Sequence, residues 1–275
     1  MTANTLPDLE RPAPDRPGRR RASNGRVLAV VLPVAGTLAA VALWWLAVVA
    51  FEIQPYLVPT PPEVLRVFAE MPGDLFVEAR VTLWETVAGY GISVVGGVLI
   101  GALIAGSRTV ERAVYPMLVA LNAAPKVAIV PLLIVWFGFD SAPKIVMAVL
   151  FCFFPITLAT AAGLSSTPAD LVELTRSLDA SRVQTFVKIR FPAALPQIFV
   201  GLKVALPLAL VGAVVGELFA SDAGLGYLIS SSGGSGNTAL AFACVALLSL
   251  MSIVLFYALV AIERVTLPWV RGTTG

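Results

Sequence analysis

The chain has no histidine and only two cysteines among its 275 residues. Without histidine, His-based catalytic triads, the usual zinc sites and histidine proton relays are excluded. Cys152 and Cys244 lie within apolar stretches at no metal-binding spacing, so we expect buried free thiols. No Gly-Lys pair occurs, which excludes the phosphate-binding loop Gly-x-x-x-x-Gly-Lys-Ser/Thr. We therefore expect no catalytic residue, metal or cofactor, and no ATP site of the common kind.

Charged residues are scarce as well, at 13% against 58% hydrophobic residues, and the mean hydropathy is +0.88. A typical soluble domain carries about 25% charged residues, so this composition predicts an all-α integral membrane protein. Six apolar stretches each approach the ~20 residues that a membrane-spanning helix needs. They are residues 27–51, 82–105, 115–137, 145–164, 198–220 and 239–262. Because they do not alternate apolar and polar residues, a closed β-barrel is excluded.

Lysine and arginine are concentrated before the first stretch and after the second, fourth and sixth. The positive-inside rule then places both termini and the loop at residues 166–195 in the cytoplasm, in a multi-pass plasma-membrane protein. We predict a disordered basic tail (1–26), a first transmembrane helix retained as an anchor (27–58), an outer amphipathic segment (59–81), a transmembrane domain (82–264) and a cytoplasmic tail (265–275). The basic tail suggests contact with anionic lipid, and we expect no nucleic-acid partner.

The charged stretch between the fourth and fifth apolar stretches predicts two short helices. Residues 167–170 (Thr-Pro-Ala-Asp) have the pattern of a helix start. Asp179 then ends the first helix, because aspartate tolerates the left-handed conformation. Ser181 and Gln184 form a capping box that opens the second helix, and Pro192 should close it. A similar capping pattern at Thr60 predicts an outer amphipathic helix.

The spacing of this loop resembles the EAA loop of permease subunits in binding-protein-dependent ABC importers. That loop has Glu-Ala-Ala, three residues, Gly, nine residues, Ile, one residue and Leu-Pro. Five positions keep the spacing: Glu173, Asp179 at the Gly, Ile189, Phe191 at the Leu, and Pro192. Leu174 and Thr175 replace the two alanines. Residues 124–132 and 224–229 are similar to segments of the nitrate, sulfonate and taurine branch of these permeases.

This resemblance implies the type I ABC importer permease fold, with about six transmembrane helices and cytoplasmic coupling helices. It implies a non-enzymatic subunit that forms the path of a small solute, anionic or zwitterionic, such as nitrate, a sulfonate, taurine or a pyrimidine precursor of thiamine. The implied partners are two copies of an ABC ATPase, a second permease copy and an extracytoplasmic solute-binding protein. The ATPase-coupling residues would be Glu173, Thr175, Arg176, Asp179, Ala180, Ile189 and Pro192.

Candidates for the pathway or a gate are Lys126, Glu217 and Tyr227. An ionised group at the bilayer centre costs about 3 kcal/mol, so it should be paired, face a cavity or lie near an interface. Lys126 either contacts an anionic substrate or ends a broken helix. Glu217 either gates the path or caps the glycine-rich loop 221–237, which is a flexible connector or part of an outer gate. We expect Lys203 to extend towards the cytoplasmic interface.

Two packing features complete the predicted bundle. Gly97, Gly101 and Ala105 recur every four residues, which predicts close approach of another helix. Pro131 and two other prolines, Pro155 and Pro207, should interrupt three of the spans. The alternative function is a secondary carrier or channel that works without an ATPase. It predicts inverted repeats, which the two halves of the sequence do not show, and copurification of an ATPase would argue against it.

Overall fold

The computed structural model describes the backbone of residues 22–269 and the side chains of residues 31–269, except Arg108, Ala169, Arg176 and Ala220. The predicted tails at residues 1–21 and 270–275 lie outside the described residues. Within the described range all regular structure is helical. Five helices are long and apolar enough to cross a membrane, or six if one bent pair counts as a span. These correspond to the six predicted stretches.

Helix α1 (Ala22–Ala50) belongs to a compact unit that ends at Ile53. Its apolar part, Val31–Ala50, is 20 residues long, which suits a span of about 30 Å. The helix begins at Ala22, inside the segment that the sequence predicts to be a disordered tail. Pro33 lies in the helix without ending it.

The second unit begins at Gln54 and holds the other helices. They are α2 (Pro61–Glu70), α3 (Pro72–Gly106), α4 (Arg108–Ala123), a 3₁₀ turn (Lys126–Ile129), α5 (Val130–Phe137), α6 (Ser141–Ser165), α7 (Ala169–Ser177), α8 (Arg182–Thr185), a π turn (Phe186–Arg190), α9 (Phe191–Ala220), α10 (Leu225–Ser235) and α11 (Thr238–Thr266). The predicted capping box at Thr60 is present, and α2 begins there.

Helices α3, α6 and α9 pack against one another and form the core of this unit. The predicted small-residue stripe of α3 lies in this contact. A Cβ atom added at Gly101 would lie 2.6 Å from Cβ of Thr160, and one at Gly97 would lie 2.9 Å from Ile156. Only the absence of a side chain lets the two backbones approach so closely. Cys152 is fully buried in the same core, and Cys244 is buried on α11.

The third predicted span is bent. Residues Thr109–Ala123 and Lys126–Phe137 meet at an angle of 80°. Ala124 before Pro125 is extended, with φ −62° and ψ 141°, because the proline ring disfavours a helical conformation in its predecessor. Pro131 then lies in the first turn of α5, where a proline is tolerated.

The predicted breaks at Pro155 and Pro207 are wrong. Both prolines lie inside continuous helices, α6 and α9. Each proline removes one backbone hydrogen bond, but α6 and α9 are packed along their lengths in the core, and this packing keeps them helical.

Pro192 does not close the second short helix either. The chain continues from α8 through the π turn into α9, and the Phe191 N–H donates to the Phe186 carbonyl, one residue further back than in an α-helix. A π turn widens the helix locally and so accommodates the proline that follows. The helical path therefore runs without a stop from Arg182 to Phe219.

Candidate functional site

The loop between α6 and α9 lies at one end of the bundle, which we call the α7 end. Helix α9 has 30 residues and is therefore about 45 Å long, so α10 lies at the opposite end. We call this opposite end the α10 end.

Asp179 separates α7 from α8 in the left-handed conformation, with φ 53°. This confirms the conformation predicted from its position in the loop. The Ala180 N–H donates to the Thr175 carbonyl at 3.0 Å, which satisfies the end of α7. An aspartate can adopt this conformation, whereas a β-branched residue is strongly disfavoured there.

The second helix begins with the predicted capping box. The Gln184 N–H donates to Ser181 Oγ at 3.2 Å, and the Ser181 N–H donates to Gln184 Oε1 at 2.9 Å. The Thr185 hydroxyl donates to Thr175 Oγ1 at 3.2 Å and so connects the two short helices. The turn at Asp179 and this hydroxyl contact together define the angle between α7 and α8.

Five apolar side chains of this loop are exposed. We call them the α7–α8 surface: Leu171, Leu174, Leu178, Val183 and Val187. Leu178 and Val183 are both 72% exposed. Leu171, Leu174 and Leu178 recur at helical spacing, so α7 has an apolar face that this chain leaves uncovered. Clustered exposed apolar residues with polar neighbours are typical of protein interfaces.

The predicted coupling residues fall into two groups. Glu173 and Asp179 are exposed beside the α7–α8 surface. Ile189 and Pro192 are half-buried where the π turn joins α9, so they are placed for packing. The side chain of Arg176 lies outside the described residues.

Lys126 lies at the break between α4 and α5. Its Nζ atom donates to Asn122 Oδ1 at 2.8 Å and lies 5.3 Å from the ring centroids of both Phe151 and Phe154. Aromatic faces attract an ammonium group, so two rings and the Asn122 amide oxygen hold the charge in place. The helix break and the cationic site therefore occur together.

Glu217 is 1% exposed, near the end of α9. It accepts hydrogen bonds from the Thr82 hydroxyl at 2.6 Å and from the Gly226 N–H at 2.7 Å. Gly226 lies in the first turn of α10, so Glu217 caps that helix. The prediction that residues 221–237 form a flexible connector is wrong for Leu225–Ser235, because side chains distant in sequence hold the start of this helix. Tyr227 is half-buried on α10.

Two further ion pairs involve residues of the spans. Lys203 donates to both carboxylate oxygens of Glu263 at 2.9 Å, so it pairs with α11 instead of extending to the interface as predicted. Lys144 lies 3.6 Å from Glu85, and both side chains are buried. No local sequence pattern indicates this pair, because the two residues are far apart in sequence.

Residues 97–272 match the family model described as "Binding-protein-dependent transport system inner membrane component". This match covers more than half of the chain. The chain belongs to this family. As a permease of this kind it is a non-enzymatic, multi-pass transmembrane subunit in the plasma membrane of an ATP-driven importer. ATP hydrolysis takes place on a separate ATPase chain, and the importer family also implies a substrate-binding protein as a partner.

Curated relatives agree with this assignment. The permease is 37% identical over 221 residues to the formylaminopyrimidine transport permease protein ThiX of Halalkalibacterium halodurans, covering 78% of this chain and 87% of ThiX. It is 30% identical over 244 residues to the taurine transport system permease protein TauC of Escherichia coli, covering 85% and 88%. These relatives confirm the predicted branch and favour an importer subunit over a secondary carrier or channel.

A solved structure shows the same fold. A chain of the MetNI methionine ABC transporter, in an inward facing conformation, is similar with a TM-score of 0.63 at 20% identity. The similarity covers 71% of this permease and 97% of that chain. The predicted type I ABC importer permease fold is confirmed.

Proposed function

We propose that the α7–α8 surface binds the ATPase, and that the permease forms a solute path whose opening follows ATP binding and hydrolysis. The observation that carries this proposal is the exposed apolar patch around Leu178 and Val183. Buried against a second protein, such residues would each contribute about 1.5–3 kcal/mol. Glu173 and Asp179 at the edge of the patch supply polar contacts.

The remaining coupling residues transmit motion from this surface into the membrane. Thr175 and Ala180 connect α7 to the turn that precedes α8. Ile189 and Pro192 lie in the continuous path from α8 into α9, so displacement of α8 moves α9 with it. Arg176 is proposed as a coupling residue from its position in α7.

We further propose that two permease copies pair in the membrane, each bound to one of two ATPase copies, with the solute path between the permeases. Exposed apolar residues on the spans support contacts with a second copy and with lipid. The α7 end would face the cytoplasm together with both termini, because Arg182, Lys188 and Arg190 lie there. The basic residues that precede α1 would contact anionic lipid.

The substrate class that this permease best fits is a small anion or zwitterion. Lys126 supports this proposal, because its ammonium group lies at a helix break and forms no ion pair with a carboxylate among the described side chains. Broken helices at membrane depth are tolerated where they line protein or a water-filled cavity. Tyr227 and Glu217, at the α10 end, would lie near the outer part of the path.

Transport kinetics test the role of Lys126. In vesicles that contain the whole importer, Lys126→Met should raise the KM for an anionic substrate such as taurine or an alkanesulfonate about tenfold, which corresponds to about 1.4 kcal/mol. Lys126→Arg keeps the charge and should stay close to the parent protein. An unchanged KM in Lys126→Met would show that Lys126 does not contact the substrate in the path.

Site-specific cross-linking tests the ATPase contact. Ser177→Cys, at the α7 end, and Ser230→Cys, on α10, both replace exposed serines. A short bifunctional maleimide should join the Ser177→Cys permease to the ATPase in the assembled importer and should not join the Ser230→Cys permease. Cross-linking only from Ser230→Cys would show that the ATPase binds the opposite end. A carrier that works alone would give no ATPase product from either variant.

A further inference from the structure

The start of α10 is held by side chains from two other helices. Each of three successive backbone N–H groups donates to one of them: Gly224 to Glu78 of α3, Leu225 to Thr82 of α3 at 2.9 Å, and Gly226 to Glu217 of α9 at 2.7 Å. These N–H groups are among the four that every helix leaves without an internal partner. The acceptors from α3 are more than 140 residues away in sequence, so the start of α10 depends on tertiary structure.

Thr82 connects the two supporting helices. Its hydroxyl donates to Glu217 Oε1 at 2.6 Å while its oxygen accepts from the Leu225 N–H. Thr82 is fully buried and Glu217 is 1% exposed. The three helices α3, α9 and α10 therefore meet in one enclosed hydrogen-bonded cluster. The enclosed position of Glu217 favours the alternative in which it caps the segment 221–237, and a role in the pathway or a gate remains a prediction.

The glycines of this segment make room for the Glu217 carboxyl group. A Cβ atom at Gly224 would overlap that group, and its φ of +101° also favours glycine. A Cβ atom at Gly226 would lie 2.8 Å from Glu217 Oε2. The Gly-Leu-Gly pattern is thus explained by the close approach of a carboxylate to the helix start.

A fourth helix joins through a buried ion pair beside this cluster. Glu85 of α3 is fully buried, and Lys144 of α6 lies 3.6 Å from it. Glu85 follows Thr82 by three residues on α3, so the two side chains lie on the same face of that helix. Lys144 also packs closely on α9, since a Cβ atom at Gly216 would lie 2.8 Å from its Cα.

We propose that Glu78, Thr82 and Glu217 are positioning residues that keep α10 attached to α3 and α9 throughout the transport cycle. Detaching α10 would leave the buried Glu217 carboxyl group and buried backbone N–H groups without partners and away from water, which is strongly unfavourable. The α10 end of the permease consequently moves as one body, and conformational change takes place at other contacts. This proposal rests on the membership of the chain in the importer permease family and does not depend on where the ATPase binds.

Distances between spin labels on α3 and α10 test the proposal. Asp74→Cys and Ser230→Cys introduce label sites at exposed positions of the two helices, with Cys152 and Cys244 replaced by alanine. Labelled permease is diluted into unlabelled permease and assembled with its ATPase and binding protein. The distances are measured in the nucleotide-free state and in the ADP–vanadate state that forms after ATP hydrolysis in the presence of vanadate. We expect the same narrow distance distribution in both states. A shift larger than the width of the distribution would overturn the proposal.

Two variants of the cluster test Thr82 directly and Glu217 through its neighbour Gly226. Thr82→Val keeps the shape but removes the hydroxyl, so the attached arrangement should become about ten- to a hundredfold less favoured and the distribution should broaden. Thr266→Val is the matched control, because its exposed hydroxyl bonds only to its own helix. Gly226→Ala, which pushes against Glu217, is a second route to the same broadening. If both cluster variants keep the narrow distribution of Thr266→Val, the residues do not position α10.

Discussion

Substitution of Asp179 is the most direct test of how the loop conformation serves transport. Its backbone is left-handed, with φ 53°. For a residue with a β-branched side chain this conformation costs about 1–2 kcal/mol, so Asp179→Val should disfavour the observed turn about 5- to 30-fold. The side chain is exposed, so no buried contact is lost with it.

The structural consequence of this change is a different angle between α7 and α8. The Ala180 N–H bond to the Thr175 carbonyl and the Thr185–Thr175 hydroxyl contact both depend on the turn. Asp179 lies outside the candidate spans, so membrane insertion should be preserved. We expect Asp179→Val to hydrolyse ATP in the assembled importer with much reduced transport per ATP. Asp179→Gly, which adopts positive φ freely, should stay close to the parent protein.

The assay compares solute uptake and phosphate release in the same vesicles, with permease content measured in each preparation. Uptake by Asp179→Val equal to that of Asp179→Gly would refute the reasoning. Equal losses in both variants would show that the aspartate side chain matters and the backbone conformation does not.

Two further predictions concern the packing of the spans. Gly101→Ala places a methyl group against Thr160 and should destabilise the permease by about 1–3 kcal/mol. Gly91→Ala, on the same helix with open space around it, should be neutral or stabilising. Thermal unfolding in detergent measures both variants, and equal melting temperatures would contradict the α3–α6 contact. Glu263→Gln leaves Lys203 without its carboxylate and should lower the stability of the permease by about 1 kcal/mol. The double variant Lys203→Met/Glu263→Leu removes both charges and should recover this stability. If the double variant stays destabilised, the pair does more than neutralise charge.

Local sequence signals predicted much of this structure. The apolar stretches gave the spans, and the capping patterns at Thr60 and Ser181 gave the starts of α2 and α8, because a cap involves residues only three positions apart. The left-handed turn at Asp179 was predictable for the same reason, since few residue types tolerate it. The coupling role of these residues remains a prediction.

Contacts between distant residues account for the errors. One of two alternatives for residues 221–237 was a flexible connector, because glycine and serine favour irregular structure, but Leu225–Ser235 is a helix whose acceptors come from α3 and α9. The ion pairs of Lys203 with Glu263 and of Lys144 with Glu85 join residues about 60 positions apart, so no local pattern indicates them. Pro155 and Pro207 were expected to break their helices, because a proline removes a backbone hydrogen bond. Both helices are continuous, because packing against neighbouring helices keeps them helical.

The charged side chains at the α10 end and the apolar side chains of the α7–α8 surface differ in burial, and this difference bears on where a partner binds. At the α10 end, Glu85, Lys144 and Glu217 are at most 3% exposed and lie among neighbours from four helices. At the α7 end, Leu178 and Val183 are each 72% exposed. Contact of a partner with the α7 end would bury these apolar side chains and leave the buried cluster intact. Motion imposed at one end can thus reach the other through α9 without breaking the contacts that hold α10.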